Sequence, residues 1–246
     1  MTWTAVLRIF MLITQAWAYR ISVTPPNPPP PKTDQHHHGD TMMLPIYWNR
    51  WVWDSLYYST TLIEVVAIVL PWLPSDFYAS YMNIMGTQTI LQQIYELTGG
   101  GRIPLSIPPE AIVGWILTIL GTLLRVWCYK ALAKAFTFEL SLKEDHKLIR
   151  SGPYAYIRHP SYTGLYAVII GSAMLTYGRG SWWWQVGFGL GSWRYLAVIH
   201  LVWEAMMMHV FLGRTKLEDK VLRDHFKEEW EQWERNVPCR LVPRVY

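Results

Sequence analysis

Read from its first residue, the chain falls into long apolar runs separated by polar stretches. Runs near 56–73, 111–129, 160–177 and 195–212 each approach the roughly 20 apolar residues with which a helix crosses a bilayer, and a fifth candidate lies at 3–19. The pattern predicts an all-α, polytopic membrane protein with about five transmembrane helices. Beyond the last run the period changes. From Lys216 to Arg235 the chain is charged, and Leu222, Phe226, Trp230, Trp233 and Val237 recur at three- and four-residue spacing, which predicts an amphipathic helix with one apolar stripe to bury. The same period lines up Arg214, Glu218 and Leu222, so Arg214 and Glu218 lean toward protein or membrane rather than open water. That helix is either a solvated element or a lid carrying polar site residues.

Composition agrees with the runs. At 51% hydrophobic and 16% charged, 246 residues are enough for one domain but carry too few charges for an ordinary soluble surface. A mean hydropathy of only +0.08 reflects dilution by a Pro-rich segment and the charged tail. Trp182, Trp183 and Trp184 fall where a helix pair should turn, which reads as an interfacial aromatic belt. The net charge of +4 fits anionic lipid or topology signals, and with no basic stripe or binding motif nucleic acid is excluded as the main partner. Cys128 and Cys239 are too few and too far apart for a disulfide framework or a zinc site, so both are expected as free thiols.

The distribution of cations gives an orientation. Residues 130–159 carry Lys130, Lys134, Lys143, Lys147, Arg150 and Arg158, which predicts the cytosolic side. A hairpin turning near 178–192 returns Arg214, Lys216 and Lys220 to that side, and 74–110, with Arg102 alone, falls opposite. The chain divides into 1–54, an anchor helix with a mobile linker, and 55–246, a multi-span domain with its motif core at 139–246. Ala16-Trp17-Ala18 also resembles a signal-peptide cleavage site, but no Lys or Arg precedes Arg8 and the topology favours a retained anchor. The linker TPPNPPPPKTDQHHHGD at 24–40 cannot pack, and His36, His37 and His38 read as a solvated patch rather than a metal site.

Ionisable residues within spans are functional candidates, because burying them in hydrocarbon is costly. Glu64, Arg125, His200, Glu204 and His209 qualify. Arg125 lies near a helix end and is expected to snorkel, and His200 and Glu204, one turn apart, are placed to satisfy each other. The stretch 146–164, HKLIRSGPYAYIRHPSYTG, is richer. Its Pro and Gly residues shape a loop between a polar stretch and a span. Two readings stay open: a shaped loop for a polar ligand, or the start of a helix at Pro160 with basic residues on headgroups.

The run Ser151-Gly152-Pro153-Tyr154, then Arg158-His159-Pro160-Ser161-Tyr162 and Gly164, resembles the signature of the isoprenylcysteine carboxyl methyltransferase family. A second block agrees: Arg214, Glu218-Asp219, Leu222, Phe226, Trp230, Trp233, Val237 and Pro238 is similar to that family's C-terminal pattern. The likeness spans roughly the last 110 residues and leaves the Pro-rich N-terminal third poorly covered. It implies an enzyme of the endoplasmic reticulum membrane, facing the cytosol, that moves a methyl group from S-adenosylmethionine to the α-carboxylate of a C-terminal prenylated cysteine. It further implies that His146, Lys147, Leu148, Ile149, Tyr154, His159, Pro160, Ser161, Tyr162 and Glu218 bind the cofactor, with Glu139 at a position where an amide can contact it. Arg214 matches the substrate-binding and catalytic residue.

Those residue types suit that chemistry. An α-carboxylate is ionised at neutral pH and needs no general base. It needs placement, which the planar fork of a guanidinium supplies. Three positions depart from the family pattern: Glu139, Asp219 in place of a second Glu, and Lys227 in place of Gly, which is tolerable if the chain there is helical. The alternatives are a methyltransferase of the same architecture acting on a phospholipid amine or other lipid, a related nicotinamide-dependent reductase, and a non-catalytic paralogue. An amine acceptor must lose a proton and gains little from Arg214, which favours the carboxylate.

Overall fold

In a computed structural model of the chain, residues 1–29, 44–74, 105–138, 147–187 and 193–243 are described, 44–50, 186–187 and 193 by their backbone alone. Among them are six α-helices and no strand: α1 (Trp3–Val23), α2 (Leu44–Val69), α3 (Pro109–Leu132), α4 (Pro160–Tyr177), α5 (Trp193–Phe226) and α6 (Glu228–Asn236). Four helical stretches, Trp3–Val23, Trp51–Trp72, Pro109–Ala135 and Arg194–Phe226, are long and apolar enough to cross a membrane. The chain is a multi-pass helical membrane protein. The fifth expected span, 160–177, forms α4, whose 18 residues include Ser161, Thr163, Ser172 and Thr176 and which is not among the four. His36–His38 and most of the stretch expected on the far side lie outside the described residues.

Local chemistry sets several boundaries. Helix α3 begins on Pro109, whose missing N–H costs nothing at a first turn, and places Glu110 at its positive end and Lys130 at its negative end. Helix α5 departs from the sequence reading. The apolar run and the charged stretch after it form one helix of 34 residues, because Gly213 between them costs a helix only about 1 kcal/mol and does not break it. The break comes at Lys227, with φ 47° and ψ −116°. The chain therefore turns at Lys227 instead of continuing as a helix, in a conformation that favours glycine.

The described residues form two compact units, 1–16 with 52–116 and 171–202, and 17–51 with 117–170 and 203–246. In the first unit Trp182 and Trp183 are fully buried against Ala67, Leu70, Tyr177 and Ala197. Trp183 Nε1 donates to the Thr60 carbonyl at 3.0 Å. The aromatic-belt reading is thus corrected: Trp184 alone of the three is exposed, and the other two are core because their rings fill the space beside α2 and α5. Arg8 and Glu64, both fully buried, pair at 2.6 Å. Arg8 also donates to the Leu175 carbonyl at 2.7 Å, and Glu64 accepts from the Trp182 N–H at 3.2 Å. His200 bonds the Tyr177 hydroxyl through Nδ1 at 2.6 Å, a partner the one-turn pairing with Glu204 did not anticipate. His209 is exposed.

In the second unit α3 and α4 meet at glycines. A Cβ on Gly121 would stand 2.6 Å from the Gly164 carbonyl, and one on Gly164 would stand 2.7 Å from the Gly121 carbonyl. Only a hydrogen side chain permits this approach, the usual device of close helix pairs in membranes. Beside it, Arg125 is 4% exposed and does not snorkel. Its guanidinium donates to the Ser22 carbonyl at 2.8 Å and to the Ser161 carbonyl and hydroxyl at 2.9 and 3.1 Å. A buried cation with that many acceptors is held by protein, not by headgroups.

Candidate functional site

The site lies within the second unit and starts from the loop before α4. A turn over Gly152–Ala155 closes on the Tyr156 N–H donating to the Pro153 carbonyl at 3.2 Å. The chain then delivers Arg158 and His159 directly to Pro160, the first residue of α4. The tail after α6 lies along this loop. The Arg158 N–H donates to the Cys239 carbonyl at 3.0 Å, and the His159 N–H to the Arg240 carbonyl at 2.8 Å. Arg158 Nη1 donates to the Val237 and Pro238 carbonyls, each at 2.9 Å, and the Thr163 hydroxyl donates to the Leu241 carbonyl at 2.5 Å. These bonds satisfy two irregular segments that would otherwise leave buried polar groups unpaired.

On that frame sits a cluster of charged and polar side chains from the loop, α4, α5 and the tail. Arg214 Nε donates to Glu218 Oε1 at 3.1 Å, one helical turn along α5. A second Arg214 nitrogen donates to the Phe138 carbonyl, and the Tyr162 hydroxyl donates to Glu218. His159 lies between the two acids, with Nδ1 3.4 Å from Glu218 Oε2 and Nε2 2.9 Å from Asp219 Oδ1. The other Asp219 oxygen meets Arg240 at 2.9 Å and Arg158 at 3.4 Å. Burial alone would lower the pKa of His159. The hydrogen bonds and negative charges of Asp219 and Glu218 outweigh it, so His159 titrates above the ordinary histidine value. Exposure grades across the cluster: the Asp219 side chain is 5% exposed and Glu218 20%. Glu218 is thus the acid with an accessible edge.

The structure brings together four of the residues singled out in the sequence: His159, Tyr162, Arg214 and Glu218. Others serve the frame. Pro160 starts α4 and is buried, and Ser161 holds Arg125. Tyr154 is buried with Cys128, Trp230, Trp233 and Val237, and Leu148 and Ile149 pack on the same cluster. Trp233 Nε1 donates to the Tyr154 carbonyl at 3.2 Å, which ties the apolar stripe to the loop. Lys147 is exposed, and Glu139 and His146 lie outside the described residues. Neither cysteine forms a disulfide. The sequence reading assigned no role to Arg158, Asp219 or Arg240, although Arg158 and Asp219 stood within its two motif blocks. Only the fold reveals that these residues lock each other.

Residues 114–224 match the isoprenylcysteine carboxyl methyltransferase family. The resemblance is thus matched over less than half of the chain, a stretch that holds the first motif block and the second as far as Leu222. Among similar proteins, the protein-S-isoprenylcysteine O-methyltransferase of Saccharomyces cerevisiae is 25% identical over 128 residues, 51% of this chain and 46% of its own length. That of Schizosaccharomyces pombe is 29% identical over 124 residues, 50% of this chain and 45% of its own. That of Xenopus laevis is 30% identical over 133 residues, 53% and 40%. The pairwise matches cover less than half of the length of these relatives, and the family match includes Arg214, Glu218 and Asp219.

Proposed function

We propose that this chain transfers a methyl group from S-adenosylmethionine to the α-carboxylate of a C-terminal prenylated cysteine, at the cytosolic face of the endoplasmic reticulum membrane. One observation carries the reading: a buried guanidinium, Arg214, fixed by Glu218 and the Phe138 carbonyl beside the loop that the family match covers. A guanidinium has five N–H donors in a planar fork, so it can hold its place and still orient a carboxylate. The acceptor is already ionised at neutral pH, so placement and not deprotonation is the task of the residues around it.

The donor set suits the methyl donor. Glu218 keeps an accessible acceptor edge for hydroxyl or amine hydrogens, and Tyr162 and Phe211 stand together beside it with ring centroids 5.8 Å apart. S-adenosylmethionine, when bound, supplies an electrophilic methyl group. Glu218, Tyr162 and His159 would hold it, with Tyr154 and the 147–149 stretch behind them, while Arg214 turns one acceptor oxygen toward it. The apolar helices offer a prenyl chain a lipid-like path, which is where a farnesyl or geranylgeranyl group costs least to keep.

The test is methyl transfer from labelled S-adenosylmethionine to farnesylcysteine in membranes carrying wild type, Arg214→Ala or Glu218→Ala. A base-labile methyl ester formed by wild type and lost in both variants is the expected result. A base-stable product would replace the carboxylate with a lipid amine as acceptor, and no transfer by wild type would sink the reading.

A further inference from the structure

We propose that Asp219 is a positioning residue of this site: it grips the far side of the His159 ring so that the near side faces Glu218, and Arg158 and Arg240 fix Asp219 in turn. The inference rests on the proposed function for the word site, but the Asp219–His159 coupling is open to a test of its own.

The geometry assigns each bond a purpose. Asp219 Oδ1 accepts from His159 Nε2 at 2.9 Å, and the opposite ring nitrogen, Nδ1, lies 3.4 Å from Glu218 Oε2. A neutral imidazole has one N–H. With that proton given to Asp219, a lone pair would be left pointing at a carboxylate. The ring that satisfies both acids carries both protons, and both ring nitrogens then donate. Asp219 cannot swing away from this arrangement, because its second oxygen is engaged by Arg240 at 2.9 Å and Arg158 at 3.4 Å. Arg158 is itself pinned by the Val237 and Pro238 carbonyls and by Glu234 at 3.5 Å. The lock therefore runs from the tail, through Asp219 and His159, to the acid with the accessible edge.

Among the described residues, the charged groups around the His159 ring are Glu218 and Asp219 from α5, Arg158 from the loop and Arg240 from the tail, with Tyr162 edge-on at 5.9 Å. Arg214 pairs with Glu218, the acid on the other side of the ring. Removing the Asp219 charge should lower the pH at which the ring loses its second proton. Removing Arg240 should raise it, because Asp219 is then less neutralised. Opposite shifts from two contacts of one carboxylate are the signature of electrostatic positioning, since loss of packing would not give opposite signs.

The experiment uses the full chain in detergent with isotopically labelled histidine, and follows the His159 ring by nuclear magnetic resonance against pH. His159→Gln identifies the signal. In Asp219→Asn the midpoint should fall by about one pH unit, the scale of one carboxylate lost at hydrogen-bond distance. In Arg240→Gln it should rise, and Asp219→Glu should return it toward wild type. Binding of labelled S-adenosylmethionine, measured across the same pH range, should weaken on the alkaline side first in Asp219→Asn. Identical ring midpoints in wild type, Asp219→Asn and Arg240→Gln would overturn the proposal, as would a uniform loss of binding at every pH. If the ring shifts as stated but wild type neither binds S-adenosylmethionine nor transfers a methyl group, the coupling stands and the proposed function falls.

Discussion

Each compact unit encloses carboxylates and guanidiniums, and the two do so in opposite ways. In the first, Arg8 and Glu64 close on each other at 2.6 Å with both side chains fully buried. In the second, the acids grade from Asp219 at 5% exposed to Glu218 at 20%, and they share His159, Tyr162 and three arginines. A closed pair has no face to offer a ligand, whereas a graded cluster is anchored at one end and accessible at the other. The same residue types are a fastener in one unit and a candidate site in the other. The backbone repeats the contrast. Among the described residues both non-glycines at positive φ, Ala133 and Lys227, belong to the second unit.

The comparison breaks most visibly at Arg8. Arg8→Ala leaves Glu64 buried without its cation, at a cost of about 3–5 kcal/mol. Thermal unfolding in detergent should show a large fall, and the double variant Arg8→Met/Glu64→Leu should recover most of it. Methyl transfer per folded molecule should be unchanged in that double variant. If recovery fails, or activity is lost with it, the first unit is more than a fastener. At the other end, Arg214→Lys keeps the charge but loses the planar fork, and activity should drop about 10²-fold, the scale for one transition-state donor. Its melting temperature should stay close to wild type, unlike that of Arg8→Ala.

This contrast was only half visible in the sequence. Apolar runs and the three- and four-residue stripe gave the helices, because burial of a face is periodic along the chain and periodicity is a local property. The stripe Leu222, Phe226, Trp230, Trp233 and Val237 buries into one cluster, although the single helix its spacing predicts is broken at Lys227. Partnerships were not legible. Arg8 and Glu64 are 56 residues apart, Arg125 finds Ser22 and Ser161, and Asp219 finds Arg158 and Arg240. Nothing local distinguishes a cation that snorkels from one that is bonded, since that depends on which carbonyls the fold carries to it. The buried Trp182 and Trp183 teach the same point: an aromatic at the end of a span is interfacial only when no neighbour covers it.

The pH dependence of stability sharpens the comparison next. His159 titrates above its ordinary value because Asp219 and Glu218 overcome the effect of its burial. A raised folded-state pKa gives a contribution that is fully present below the unfolded histidine value near 6.5. It is lost as pH rises through the folded value. The melting temperature of wild type should therefore fall as pH climbs from 6 through the folded value, and His159→Gln should flatten that slope. Arg8→Met/Glu64→Leu should leave the slope in place. A slope that persists in His159→Gln would assign it to another group.

The smallest effect expected is at Lys227, and it bears on why the second unit carries strain. The chain needs a sharp turn there, so that α6 can lay Trp230 and Trp233 against Tyr154 and bring Val237–Leu241 to the loop. Both flanking helices hold the turn closed: the Lys227 N–H donates to the Arg223 carbonyl at 2.8 Å, and its own carbonyl accepts from Glu231 at 3.1 Å. With φ at 47° and ψ at −116°, a side chain there is strained by about 1–3 kcal/mol, while glycine adopts such angles freely. Lys227→Gly should therefore stabilise the chain by about 1 kcal/mol, once the extra freedom of glycine in the unfolded chain is set against the relief. Lys227→Val should destabilise it. Methyl transfer should be unchanged in Lys227→Gly, because the variant relaxes the turn without moving Arg214 or Glu218. A loss of stability in Lys227→Gly, measured by thermal unfolding, would show that the lysine side chain contributes more than the backbone strain costs.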